Sequence, residues 1–323
     1  MKKIAVILFL SGIISCTNNS NVKRAFVPSS SGNLNNVTVI MPQKEWQGNL
    51  GDQVRETLEE IYEGLPLDEP QFSVLYMNPK AFTGFARQNR NIIWFRKDSL
   101  EGFRMSQNQF ARPQIVAKVI GLDSESQAFY FKENSRLIKQ SIIENERLEK
   151  LRRIKKSSSK EKTLTERFGI SLTYPSAYKT VKDTTNFVWI QKEVRKGHLN
   201  IIAYTLPENA LEGSFSSRIL DVRDSIGKVH VPGRLKGTHL ITERAFKPYF
   251  YKAKIDGKMS YLTKGTWEVA NDYMAGPFVN YMVRDSIKKR WMVIEGFTFA
   301  PSASKRDYMF ELNTIINTLE KID

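Results

Sequence analysis

Apolar positions along the chain alternate between two spacings, one suited to strands and one to helices. Val37 to Met41 is a short apolar run closed by Pro42 and predicts a first strand. From Asn49 onward, Val54, Leu58, Ile61 and Leu65 recur at intervals of four, three and four, which predicts a helix stopped by Gly64 and Pro66. Phe72 to Met77, Asn91 to Lys97 and Gln114 to Ile120 read as strands. Ser124 to Lys156 reads as a long helix with a stripe of Phe131, Ile138, Ile142, Leu148 and Leu151. Six cations between Arg147 and Lys156 suit the C-terminal end of that helix, where the backbone dipole is negative.

The polar stretch Ser157 to Thr163 has no apolar period and is the expected linker between two domains, 37–156 and 164–323. Beyond it the pattern becomes strand-rich: Phe168 to Tyr174, Phe187 to Val194, Leu199 to Leu206, His239 to Ile255, Lys258 to Val269, Phe278 to Arg284 and Arg290 to Phe299. Asp256-Gly257 favours a type I′ turn and hence an antiparallel hairpin. Two helices interrupt, one on Phe215, Ile219, Val222 and Ile226, the other on Tyr308, Leu312, Ile315, Leu319 and Ile322 after a capping-box-like Ser304-Lys-Arg-Asp307. A single apolar stripe on each implies that each covers one face of a sheet. The expected class is α+β, two halves with largely antiparallel sheets and helices packed on them. The second half, opening with Phe168-Gly-Ile-Ser-Leu-Thr-Tyr-Pro175, resembles the sandwich of the photosystem PsbP family.

The first sixteen residues change the picture from architecture to address. Lys2-Lys3, an apolar run from Ile4 to Ile14 and Ser15-Cys16 form a secretory signal whose end looks like a lipobox. Eleven apolar residues at 1.5 Å each span about half of a ~30 Å hydrocarbon core, so a spanning helix is disfavoured. Cleavage before Cys16 and acylation of its sulfur and freed amine would anchor the chain durably, since two or three acyl chains hold where one does not. The lone cysteine precludes an intramolecular disulfide. Residues 16–36, rich in Asn and Ser, read as lipid anchor and tether. Thr17, with no acidic residue near it, favours the outer membrane and its periplasmic face.

Loss of Lys2 and Lys3 leaves 47 basic against 34 acidic residues, a net charge of +13. The expected partners are therefore the membrane, through the lipid, and an envelope protein or an anionic envelope ligand. Nucleic acid is not expected in the periplasm, and no nucleic-acid module signature is present. No nucleophile elbow, phosphate loop, dinucleotide fingerprint or zinc-protease motif occurs, and His198, His230 and His239 have no metal-ligand spacing, so no cofactor is expected. Two loops carry more polar chemistry than a connector needs. Phe85 to Asn91 offers Arg87, Asn89 and Arg90, whose planar guanidinium forks and amide suit carboxylate or phosphate. Lys264 to Phe278 offers Trp267 as an apolar wall and Asp272 in an Asn-Asp turn.

Pro28-Ser-Ser-Ser-Gly32, Gly64-Leu-Pro66 with Glu69-Pro70, the Phe85–Asn91 loop, Gly265-Thr-Trp267 and Met274-Ala-Gly-Pro-Phe278 together resemble a lipoprotein family of Bacteroidota known as domain of unknown function 4837, over nearly the whole mature chain. Thr266 and Ala275 depart from that family's Gly-Leu-Trp and Met-Gly-Gly-Pro-Phe. The resemblance implies a lipid anchor and that phylum's envelope, and no activity. The leading expectation is a non-enzymatic binding or scaffolding lipoprotein that uses Arg87, Asn89, Arg90, Trp267 and Asp272. The alternatives are a periplasmic hydrolase of glycan or peptide, with Asp272 and Glu268 as acid and base, and a structural spacer.

Overall fold

The structure, a computed structural model, describes residues 26–321; Cys16 and the signal segment lie outside them. The first half contains β1 (Asn36–Ile40), α1 (Gln43–Trp46), α2 (Asn49–Leu58), β2 (Ser73–Met77), β3 (Asn91–Lys97), β4 (Gly102–Gln107), β5 (Ile115–Gly121) and α3 (Ser124–Lys155). Its sheet has the order β2-β1-β3-β5-β4, with β4 antiparallel to β5 and every other pairing parallel. Antiparallel pairing was expected, and this sheet departs from it. The signal lay in Asn91-Ile-Ile-Trp-Phe95 and Ile115-Val-Ala117, near-continuous apolar runs of the kind found where a parallel sheet is covered on both faces. Helices α2 and α3 cover the face carrying Val37, Val39, Ile93, Phe95, Ala117 and Val119. The other face, with Ile40, Ile92 and Val116, is covered by Phe82 of the β2–β3 connection and by Phe110. Strand β4 has no counterpart in the sequence reading; its Phe103 and Met105 alternate with Arg104 and Ser106 at the sheet edge.

Helix α2 stops at Leu58 although the apolar spacing runs on to Leu65. Ile61 is exposed, whereas Tyr62 and Leu65 turn away from this half and pack on the core of the second. In α3 the buried face continues from Phe131, Ile138 and Ile142 through Glu146 and Glu149 to Ile154, and Leu148 is left exposed. Four cations of its C-terminal run are matched: Arg147 with Glu144, Lys150 with Glu311, and Arg152 and Arg153 with Glu149.

The second half contains α4 (Thr163–Phe168), β6 (Ile170–Ser171), β7 (Lys179–Thr184), β8 (Phe187–Val194), β9 (Gly197–Pro207), α5 (Phe215–His230), β10 (Leu240–Thr242), β11 (Tyr249–Ile255), β12 (Lys258–Val269), β13 (Ala275–Asp285), β14 (Arg290–Phe299), α6 (Arg306–Ile316) and β15 (Glu320–Lys321). Eight strands form an antiparallel sheet of order β10-β12-β13-β14-β9-β8-β7, with β11 also on β12, while β6 pairs with β15. Asp256 and Gly257 both take positive φ in the β11–β12 turn, as the hairpin reading requires. Alternation along β14 sends Met292 and Ile294 toward α6 and Trp291, Val293 and Phe297 toward α5, so one helix covers each face. The chain is therefore α+β, its larger sheet antiparallel and helices packed on both sheets. The expected strand from His239 to Ile255 is broken between β10 and β11, with Pro248, which lacks an N–H for the ladder, in the gap. Phe168 closes α4 instead of opening a strand.

The halves are joined by more than the chain. Ser157–Ser159, expected as linker, bridges Pro175 through Ser158 and donates the Ser159 N–H to Tyr174 O at 2.8 Å. Helix α6 lacks its expected capping box. The Glu69 carboxylate of the first half caps it instead, accepting the Lys305 and Arg306 N–H groups at 2.7 and 2.9 Å and also the Ser304 hydroxyl.

Candidate functional site

Arg90 is 2 % exposed and holds the fully buried Glu146 of α3, Nε to Oε1 at 2.8 Å. Its Nη2 donates to Gly32 O and Asn33 O at 2.7 and 3.0 Å, while Glu146 Oε2 accepts the Asn35 N–H at 3.1 Å. Arg90 therefore ties the end of the expected tether to the sheet, in place of the expected ligand contact. Asn89 accepts the Gln114 amide through its backbone oxygen at 2.8 Å and bridges Ser31, also a structural role. Trp267 is 2 % exposed, edge-on to Phe297 at 5.8 Å, and belongs to the core beneath α5. Asp272, in the β12–β13 turn, is held by Arg234 through two bonds of 2.8 and 2.9 Å, which keep its carboxyl below the usual range. Glu268 lies beside Glu243; burial and this second carboxyl raise its pKa. Among the described residues neither Glu268 nor Asp272 lines the main cavities, and Asp272 faces Arg234 in place of a second carboxyl. No cluster of three His, Cys, Asp or Glu suited to a metal occurs among the described residues.

Arg87 alone of these candidates keeps an exposed charge, and it belongs to a larger arrangement. Its guanidinium lies 5.8 Å from the Phe82 ring and 5.5 Å from Phe110. Phe82 is edge-on to Trp94 at 5.0 Å, and Trp94 has Arg96 at 5.3 Å and Lys118 at 5.9 Å from its ring. A row of three aromatic rings thus runs across the first sheet with cations along it. Strand alternation dictates this: Ile92, Trp94 and Arg96 share one side of β3, and Val116 and Lys118 share the same side of β5.

Two cations sit where a sheet tolerates them poorly. Arg104 and Lys118 are directly opposite across β4 and β5, an arrangement that costs a sheet roughly 0.2–1 kcal/mol. Burial first, then Arg96 and Arg104, push the Lys118 ammonium below its ordinary pKa. Among the described residues no carboxylate pairs with Arg96, Arg104 or Lys118. The sequence reading missed all three because they fall inside strands, where a cation reads as a solvated edge.

Trp94 and Arg96 also line a cleft of about 400 Å³, with Pro42, Pro79, Phe95, Lys97, Asp123 and Gln127. It opens beyond the carboxyl ends of β1, β3 and β5. The connection after β1 leads to β2 on one side and that after β3 leads to β4 and β5 on the other, so the cleft sits where the winding of the sheet reverses, the habitual ligand position in open parallel sheets. Glu45 and Asp123 border it, but Glu45 accepts the Ser124 hydroxyl and Asp123 caps α3. The other cavities are less suited to a charged ligand. That near Phe168 and Met292 holds about 30 Å³. Of two at the junction, one of about 290 Å³ is bordered by Glu60 and Glu63, already paired with Lys139 and Lys264, and one of about 330 Å³ is bordered by charges of both signs, Asp68 and Lys247.

Among solved structures the chain is similar to the Ran-binding protein Mog1p of Saccharomyces cerevisiae, at 10% identity over 48% of this chain and 91% of that one, with a TM-score of 0.33. It is also similar to LpqN, involved in cell envelope biogenesis of Mycobacterium tuberculosis, at 12% identity over 46% and 79% of the two chains, TM-score 0.28. Among curated proteins nothing matches. Residues 30–155, which carry the cleft, match the family described as Domain of unknown function (DUF8532). Residues 157–318, half of the chain, match the family described as Domain of unknown function (DUF4837), and the chain belongs to that family.

Proposed function

We propose that this protein is a lipid-anchored, periplasm-facing envelope protein that acts by binding, and that its first half holds an anionic envelope ligand in the cleft beside Trp94. One observation carries the reading: Arg96 and Lys118 lie against the ring of Trp94, Arg104 faces Lys118 from β4, none of the three has a carboxylate partner among the described residues, and Trp94 and Arg96 line a cleft of about 400 Å³. Proteins retain such locally unfavourable charge where a ligand completes it. Phosphate or carboxylate oxygens would accept from the Arg96 fork, Lys118 would add a point charge, and the Trp94 ring would pack against an apolar or sugar face. Binding then neutralises like charges that the unliganded sheet must hold apart. The signal segment and Cys16 support the envelope address, and Thr17 supports the outer membrane.

The test is thermal unfolding and Trp fluorescence on titration with inorganic pyrophosphate, for the wild type and for Arg96→Ala with Lys118→Ala. A saturable rise in Tm that the double variant loses supports the reading. No rise with the wild type, or the same rise in both, overturns it.

A further inference from the structure

A second surface is built where the chain leaves the fold. Pro28 to Ser31 is laid against the first half: Arg112 N–H donates to Pro28 O at 2.8 Å, Ser30 N–H to Arg112 O at 2.9 Å, and Ser31 N–H to Gln88 O at 2.8 Å. The departing strand is thereby fixed between Arg112 and the turn Gly84–Gln88. That turn presents Phe85, 85 % exposed, and beside the departing strand Phe26 is 90 % exposed. Arg87 and Arg112 flank the strand, and among the described residues neither has a carboxylate partner. Exposed aromatic rings beside cations that no carboxylate neutralises suit the boundary between headgroups and acyl chains.

We infer that this edge, Phe85 with Arg87 and Arg112, docks on an anionic phospholipid surface and fixes how the protein lies on its membrane. Two features select a bilayer as the occupant. Ten residues separate Phe26 from Cys16, a reach of at most ~35 Å, so an anchored chain keeps this edge near the headgroups. Arg87 and Arg112, without carboxylate partners, complement lipid phosphates, at about 1 kcal/mol each. The cleft lies at the opposite end of β3 from the departing strand, so docking here leaves it open to the periplasm. The inference borrows from the proposed function the anchoring at Cys16 alone.

The experiment uses residues 16–323 carrying Cys16→Ser, so that the surface is read without the lipid, in sedimentation with vesicles of phosphatidylcholine alone or mixed with phosphatidylglycerol. The expected result is association with the mixed vesicles only, weakened by salt, reduced roughly thirtyfold by Arg87→Ala with Arg112→Ala, reduced also by Phe85→Ser, and retained in Arg87→Lys with Arg112→Lys. Equal association with both vesicles, or no loss in the alanine pair, overturns it. So does a loss caused instead by Arg96→Ala with Lys118→Ala, which would make the cleft the lipid contact. Incorporation of labelled palmitate at Cys16 in cells is a separate readout, so failure of the anchor and failure of the docking edge are told apart.

Discussion

Glu69 accepts the backbone N–H of Arg306 at 2.9 Å, and Arg306 returns its Nη1 to Pro70 O at 3.2 Å and Ser73 Oγ at 3.1 Å. A carboxylate of the first half therefore caps a helix of the second, satisfying orphan amides where the helix dipole is positive. Asn35 adds a bond to Asp307 at 2.9 Å. Glu69→Ala removes the cap and part of the junction together. It is expected to cost about 1–2 kcal/mol in urea unfolding, and to lower protease resistance at Ala303–Arg306 before that of the sheet.

Arg90 and Glu146 form a pair 2 % and 0 % exposed. Removing one partner strands a buried charge, so Arg90→Leu alone should lose about 3–5 kcal/mol. Arg90→Leu with Glu146→Leu should lose clearly less than the sum of the two single changes. A double-mutant cycle by urea unfolding checks this.

The Glu149 carboxyl is buried, which by itself raises its pKa, yet bonds from Arg152 at 2.6 and 2.8 Å and from Arg153 at 2.8 Å bring it down to about 2. A depressed carboxylate contributes stability that is present above its unfolded value near ~4.3 and is lost as pH falls toward 2. Because the two arginines are about half exposed, the contribution is discounted to about 1 kcal/mol. Glu149→Gln should therefore differ from wild type at pH 7 and converge with it near pH 2, read as urea midpoints across that range.

Lys118 makes the opposite trade. Its ammonium is disfavoured by burial and then by Arg96 and Arg104, so Lys118→Met should leave stability unchanged or raise it by up to about 1 kcal/mol. The same variant should lose most of the pyrophosphate response. A gain in Tm with a loss of anion binding is the signature of a residue kept for a ligand.

Much of the fold was legible. The helix over Ser124–Lys155, the Asp256-Gly257 hairpin and helices α5 and α6 follow from local spacing and turn chemistry, which act within a few residues. The errors share a cause. Leu65 continued a helical spacing but is drawn into the core of the other half, and Arg223 occupies the buried face of α5 because Glu295 of β14 receives it at 2.8–3.0 Å. Apolar periodicity finds the buried face of a helix only where that face is apolar, and in α3 and α5 part of it is charged.

Of the site residues named from sequence, Arg87 is exposed and has no carboxylate partner among the described residues; Asn89, Arg90, Trp267 and Asp272 are engaged within the fold, and Cys16 lies beyond the described residues. The chain by itself determined where strands, turns and helices arise and how much positive charge they carry. Which cations are paired inside the protein and which are left without a carboxylate was decided by tertiary structure alone. Arg90 meets a carboxylate 56 residues away, whereas Arg104 and Lys118 are set opposite each other by a strand register. A pairing of that range is encoded in the packing of whole elements, and no local spacing carries it.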